Sequence, residues 1–426
     1  MYHPAIVDLR LSKMTDAIRR SGNSKFEFRE ISLPEVAYWT SQLEALWDPD
    51  AETAIRAFTP EEEAFVQHEI SRSKCDYRYW ANRYAWIKTK GQEKVRISFW
   101  DSQELLLKAI STAELRALSG TSGDGILIAL LKARQLGAST VCETIIPHRV
   151  FFYANTAALI AAHVDEQSAY LFDMLERVYD SMPWWMKPHR KYLVKDKQMY
   201  FDLLDNLILV NSAKNMQGSG SMEGQKGSIG TGKTFPLFHG SEISQWENAS
   251  QIDDALMPAI PEHPRTLAIF ESSAKGIIGW WPDTWDDAKN GLNRLTPVFI
   301  PWYSEPQTYT KPAPLDWAPS DIALAHAKKV LETSPRWCGR TVTLTRDQLF
   351  WWERKRASYA ARNELYKFFT EYCADDVEAF QSTTGGVIPA DFLNDLWTKA
   401  RPHSAVVDVA PKTLGGMGRG TSRVAT

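Results

Sequence analysis

Residues 125–140 read GILIALLKARQLGAST, and the order of residue types in that stretch decides the fold. Ile126 to Leu131 is a wholly aliphatic run of strand length. Lys132 and Arg134 follow, Gly137 supplies a turn, and Ser139 and Thr140 are suited to cap a helix starting there. Strand, turn and helix in that order form an anion cradle, because the turn amides and the helix N-terminus converge on one point. Working outward, apolar runs alternate with helical stretches: LILVNS (207–212), FPLFHG (235–240), LAIFES (267–272) and TPVFIPW (296–302). The alternation predicts an α/β fold with a mostly parallel sheet flanked by helices.

The 426 residues allow one large core or two to three domains. With 44% hydrophobic and 24% charged residues the balance is that of a folded globular chain, and 17 Trp predict an aromatic-rich interior. The run Ile126–Leu131 is the longest wholly aliphatic one, far short of a membrane span, and the N-terminus lacks a signal-peptide core, so a cytoplasmic protein is expected. Cys75, Cys142, Cys338 and Cys373 are far apart without paired spacing, which argues against a disulfide framework or a zinc motif and predicts buried thiols. A formal charge of −3 gives no support for tight sequence-independent nucleic-acid binding.

Residues 1–95 read as a helical lead-in, ending in the aromatic-rich segment that leads to an alternating strand. Residues 96–302 carry the α/β core. YSEPQTYTKPAPLDWAPSD (303–321) reads as an exposed connector, residues 322–390 as a helical subdomain, and the Gly-rich 391–426 as a disordered tail or the start of a further domain. No internal repeat is visible.

Two segments compete as the phosphate loop. GSIGTGKT (227–234) matches G-x-x-x-x-G-K-[ST] in full, but TFPLFHG after Lys233 reads as a strand, not as the start of a helix. It is better taken as a glycine-rich loop before a strand. KARQLGAST has the right context, yet Ala138 stands where the phosphate-binding lysine is expected, so a cation must come from elsewhere, and Lys132 and Arg134 on the approach can reach back.

KARQLGAST resembles the deviant Walker A of the phage large terminases, DNA-packaging motors whose basic loop residue sits early. The resemblance implies a P-loop (ASCE-type) ATPase using ATP and Mg²⁺. Arg134 would be the phosphate ligand and a catalytic residue, Lys132 a second cation, Gly137 the tight turn and Ser139 the hydroxyl on magnesium, with Gln135, Ala138 and Thr140 completing the loop. WDSQELL is similar to the family's adenine-reading segment, which makes Gln103 the base contact. FPLFHGSEISQW resembles the strand carrying the catalytic acids: Glu242 would be the base, and Ser241, where relatives have aspartate, a weak magnesium contact. LAIFESSAKG resembles the coupling motif, carried by Ser272, Ser273 and Ala274.

Residues 344–389, including EAF, resemble the stretch that closes the terminase motor and leads toward its nuclease. Too little chain follows Pro389 for a nuclease core, and Asp408 lacks carboxylate partners. Arg354, Lys355 and Arg356 read as a solvated helix face, not as DNA contacts. The family further implies translocation of double-stranded DNA into a procapsid, a portal protein and small terminase subunit as partners, a homo-oligomeric ring on the portal, and absence from the mature virion. Two alternatives stay open: a helicase-like P-loop translocase, and an inactive prophage remnant, which Ala138 and Ser241 would explain.

Overall fold

In the computed structural model, which describes residues 30–89, 91–118, 125–191, 197–216, 234–247 and 256–380, Ile126–Lys132 is a strand with every residue buried. The segment GSIGTGKT apart from Thr234, and everything from Gln381 onward including Asp408, lie outside the described residues. So does the second of the chain's two compact units, residues 384–426.

The lead-in contains helices α1 (Leu33–Glu44), α2 (Pro60–Cys75) and α3 (Tyr77–Tyr84), with two antiparallel ribbons, β1 (Trp47–Asp48) with β2 (Thr53–Ala54) and β3 (Trp86–Lys88) with β4 (Lys94–Arg96). Helix α2 begins where its sequence dictates: Thr59 and Glu62 form a capping box around Pro60, whose missing N–H costs nothing in the first turn. Then come α4 (Asp101–Leu118), β5 (Ile126–Lys132), α5 (Ala138–Phe152), β6 (Ala157–Ala162), α6 (Asp165–Ser181), β7 (Gln198–Phe201), β8 (Asn206–Ser212) and the short α7 (Ala213–Met216). After these the chain forms β9 (Leu237–Ser241), β10 (Leu267–Ser272), α8 (Trp280–Asn290), β11 (Thr296–Ile300), α9 (Asp321–Cys338), α10 (Arg346–Ala360), α11 (Leu365–Glu371) and α12 (Asp376–Ala379).

Among the described residues the central sheet has seven strands in the order β11-β5-β10-β9-β6-β8-β7. Every adjacent pair is parallel except β7 with β8, so the expected α/β class and mostly parallel sheet are what the chain forms. All the apolar runs singled out in the sequence are strands, and β6 and β7 are additional ones.

The path from β5 through α5 to β6 passes two strands in one direction, while β10 through α8 to β11 crosses β5 in the other. Right-handed crossovers running in opposite directions place their helices on opposite faces. Accordingly α5 packs on β6, β8, β9 and β10, and α8 on β5 and β11. The carboxyl ends of β5 and β10 are therefore a switch point, where open α/β sheets form a ligand crevice.

The segment 303–321 is less exposed than its composition suggests. Tyr303 and Tyr309 are buried, and Tyr309 packs against Trp351 and Tyr372 with centroids 4.9 and 5.7 Å away, which fastens the connector to α10 and the end of α11. Arg354, Lys355 and Arg356 lie over Phe350, Tyr359 and Trp352 respectively, so the basic face shields aromatic rings. No described helix is long and apolar enough to cross a membrane.

Candidate active site

Between β5 and α5 the backbone turns through positive φ at Gln135 (57°) and again at Gly137 (73°), the N-cap of α5. Returns to the left-handed region on either side of Leu136 make the kind of turn that gathers amides into an anion-binding concavity. Ala138 is the first residue of α5, with Ser139 and Thr140 in its first turn. Neither hydroxyl caps the helix, contrary to the expectation from sequence: Gly137 holds the N-cap position without a side-chain bond, and Ser139 Oγ donates to Glu271 Oε1 at 3.0 Å and Oε2 at 3.2 Å.

The turn is braced from α4. Ser102 Oγ donates to the Leu136 carbonyl at 3.0 Å, and Gln103 Nε2 to that of Gly137 at 3.0 Å. Gln103 Oε1 accepts from Trp100 N at 2.9 Å, so both ends of this side chain, expected to read a base, are bonded to backbone.

The two loop cations part company. Lys132, 5% exposed at the end of β5, sends Nζ to Glu271 Oε1 at 3.1 Å and Glu242 Oε1 at 3.3 Å. Burial opposes its charge, but Glu242 and Glu271 outweigh that and hold its pKa above the ordinary value. Arg134 instead leaves the loop on the other side: its guanidinium, 56% exposed, pairs with Glu371 Oε1 at 2.9 Å, and its amide donates to the Glu371 carbonyl at 2.8 Å. Tyr309 donates its hydroxyl to the Arg134 carbonyl.

Glu242 follows β9 directly, with φ 54° and ψ 47°. A carboxylate residue in the left-handed region costs about 1–3 kcal/mol, and such strain gathers at functional sites. It occupies the N-cap of a three-residue 3₁₀ turn, Ile243–Gln245, without capping it. Its carboxylate is turned instead to Lys132, and Ser273 Oγ donates to its Oε2 at 3.2 Å. Ser272 Oγ donates to Ser244 Oγ at 2.8 Å and accepts from Ser244 N at 3.0 Å, while Ala274 is buried. Ser241 is buried at the end of β9, where its carbonyl accepts the Trp246 indole N–H at 3.1 Å.

Behind these residues runs a buried polar chain that none of the motifs marks. His239 bonds through Nδ1 to Glu143 Oε1 at 2.7 Å and through Nε2 to Glu271 Oε2 at 2.8 Å. Burial works against a charged imidazole, but Cys142 and then the two carboxylates raise its pKa well above the ordinary value. Burial likewise pushes Glu271 upward, and Lys132 followed by His239 overturns this, leaving it at about 2. In Glu143 burial prevails and its pKa is raised.

Cys142, His239 and Glu271 offer ligand-type atoms within 4.8 Å of one another. Both ring nitrogens of His239 are already engaged by carboxylates, which makes this a hydrogen-bonded relay rather than a metal cage. Of the four cysteines, Cys142 and Cys373 are buried as expected, Cys338 is partly so, and Cys75 is exposed.

No family model matches the sequence, and no curated protein matches it. Among solved structures the fold is similar to phage large terminases. The HK97 bacteriophage large terminase is 15% identical with a TM-score of 0.45, over 70% of this chain and 54% of that one. The ATPase domain of the Thermus phage P74-26 large terminase is 13% identical with a TM-score of 0.36, over 62% and 92% of the two chains. A large terminase from a thermophilic bacteriophage is 12% identical with a TM-score of 0.32, over 55% and 52%. The matched region spans about half the length of the HK97 protein, and likeness at this level concerns the fold, not the residues of a site.

Proposed function

We propose that the chain is an ATP-hydrolysing motor of the large-terminase kind, which moves double-stranded DNA into a procapsid. One observation carries the reading: Lys132, Ser139 and Ser273 converge on Glu242 and Glu271, through contacts of 3.3 Å or less, at the carboxyl ends of β5, β9 and β10. A triphosphate cradled by residues 134–140 meets the α5 N-terminus and Lys132, with Arg134 as the outer cation.

Magnesium suits this setting, since the Ser139 hydroxyl and neighbouring carboxylates are the hard oxygen donors it takes. When bound, it neutralises charge on the phosphate oxygens. Glu242 orients the attacking water and accepts its proton. Ser273 fixes the free oxygen of that carboxylate, and the Ser272–Ser244 pair ties the ends of β10 and β9 together. Contacts of this kind are exchangeable, as a coupling element between hydrolysis and movement requires. Portal protein, small terminase subunit and a homo-oligomeric ring belong to the same proposal by family resemblance.

The test is turnover of ATP with magnesium by the purified protein. Glu242→Gln is expected to lower kcat at least about a hundredfold while leaving nucleotide affinity within a few-fold. Wild-type turnover retained in that variant would remove Glu242 from its role. Binding without turnover in the wild type would instead favour an inactive remnant.

A further inference from the structure

Ser241 ends β9 at the place where the resemblance calls for an aspartate, but the neighbouring strand carries a carboxylate at the same level. Glu271 of β10 is the register partner of Ser241. Paired residues of parallel strands lie side by side, about 4.8 Å apart, and direct their side chains to the same face. The acid is displaced sideways by one strand.

Its contacts distinguish it from a simple counter-ion. Glu271 is fully buried, and such a carboxylate costs several kcal/mol of desolvation unless its surroundings compensate. Lys132 already has Glu242 as an ion partner, so neutralising the lysine does not by itself require a second buried acid. Both Glu271 oxygens also accept from Ser139, the first-turn hydroxyl of the phosphate-loop helix. In P-loop enzymes the metal is held by the loop Ser or Thr together with a strand-end acid, and Ser139 with Glu271 is the hydroxyl–carboxylate pair present here. His239 fixes the orientation of that carboxylate from behind, with Glu143 behind it in turn, the arrangement by which outer groups position a metal ligand.

We propose that Glu271, together with Ser139, holds the nucleotide's magnesium in this protein, in the role first assigned to Ser241. The inference rests on the ATP reading above. Its test is the affinity of a fluorescent ATP analogue, measured once in EDTA and once in magnesium, so that each variant is its own control.

Magnesium should tighten binding to the wild type. Glu271→Gln should cut that enhancement, read as the ratio of the two affinities within the variant, at least about tenfold, whereas Ser241→Ala should keep it. An undiminished magnesium effect in Glu271→Gln, or its loss in Ser241→Ala, would overturn the assignment while the ATP reading survived. Failure of the wild type to bind the analogue at all would overturn the ATP reading and this inference with it.

Should Glu271→Gln fail to fold because Lys132 and His239 lose their partner, Glu271→Asp keeps the charge and withdraws the carboxylate by one methylene. The same loss of magnesium enhancement is expected there, and an unchanged enhancement counts against the proposal. Restoration of the enhancement in Glu271→Gln combined with Ser241→Asp would bear out the sideways displacement directly.

Discussion

Lys132 and Arg134 are two residues apart and have opposite fates. Lys132 is sealed between two carboxylates, whereas Arg134 reaches outward to Glu371. Removing one member of a buried ion cluster leaves uncompensated charge, so Lys132→Met is expected to destabilise the fold by about 3–5 kcal/mol. Arg134→Ala breaks a pair that is more than half exposed on the arginine side, and a change within about 1 kcal/mol is expected. Denaturant titration of both variants checks the contrast, and a larger loss for Arg134→Ala would refute it. The sequence marked both as loop cations but ranked Arg134 first. The deciding partner of Arg134 lies 237 positions away and that of Lys132 lies 110 away, distances over which no motif speaks. Gly137 was legible, because the turn needs positive φ, and a Cβ there would come within 2.5 Å of Gln103 Nε2.

Helix α5 carries more of the site than its first turn. Ser139, Cys142 and Glu143, spaced i, i+3 and i+4, face the sheet and meet His239 and Glu271. A signal for this was present in the sequence: His239 and Glu271 are the ionisable residues of β9 and β10, strands that otherwise carry only apolar or small side chains, and two such interruptions on strands of one parallel sheet invite pairing. What the sequence could not supply was the register that sets them on one face.

Further along α5, His148 is buried between Tyr77, Trp80 and Phe152 and bonds through Nε2 to the Ser73 carbonyl at 2.7 Å. Burial lowers its pKa from 6.5 to about 4. Between those values the unfolded chain takes up a proton that the folded chain refuses, so stability is present above pH 6.5 and falls as pH drops toward 4, by roughly 3 kcal/mol in all. In His148→Gln, melting temperatures followed from pH 7 to 4 should decline less steeply than in the wild type, and equal slopes would contradict the assignment.

At the scale of the whole molecule, the alternation of runs was enough to give an α/β sheet, and the strand order then put the loop, Glu242 and the serines at one edge. The closing helices were legible as helices but not as a clamp. Lys329 of α9 pairs with Asp375 at 2.7 Å and Glu378 at 3.2 Å, Lys289 of α8 pairs with Asp376, and Trp285 Nε1 donates to Asp376 Oδ2 at 3.1 Å. The acidic phrase DDVEA, which the sequence offered only as a family resemblance, is the latch of this layer. Lys329→Ala should raise amide exchange across residues 375–379 while the strands of the central sheet stay protected, and uniform exchange in both proteins would show the latch to be idle.

The outward turn of Arg134 has a mechanical side. Its amide, carbonyl and guanidinium are all tied to the region of Tyr309 and Glu371, and Tyr359 donates its hydroxyl to the second Glu371 oxygen at 2.7 Å. The turn between β5 and α5 is thereby hinged to the far end of α11, like a pedal on a short rod. An anion that drew the arginine inward would either snap those ties or haul the rod with it, and in the second case a movement in the crevice would leave it as a displacement of helices.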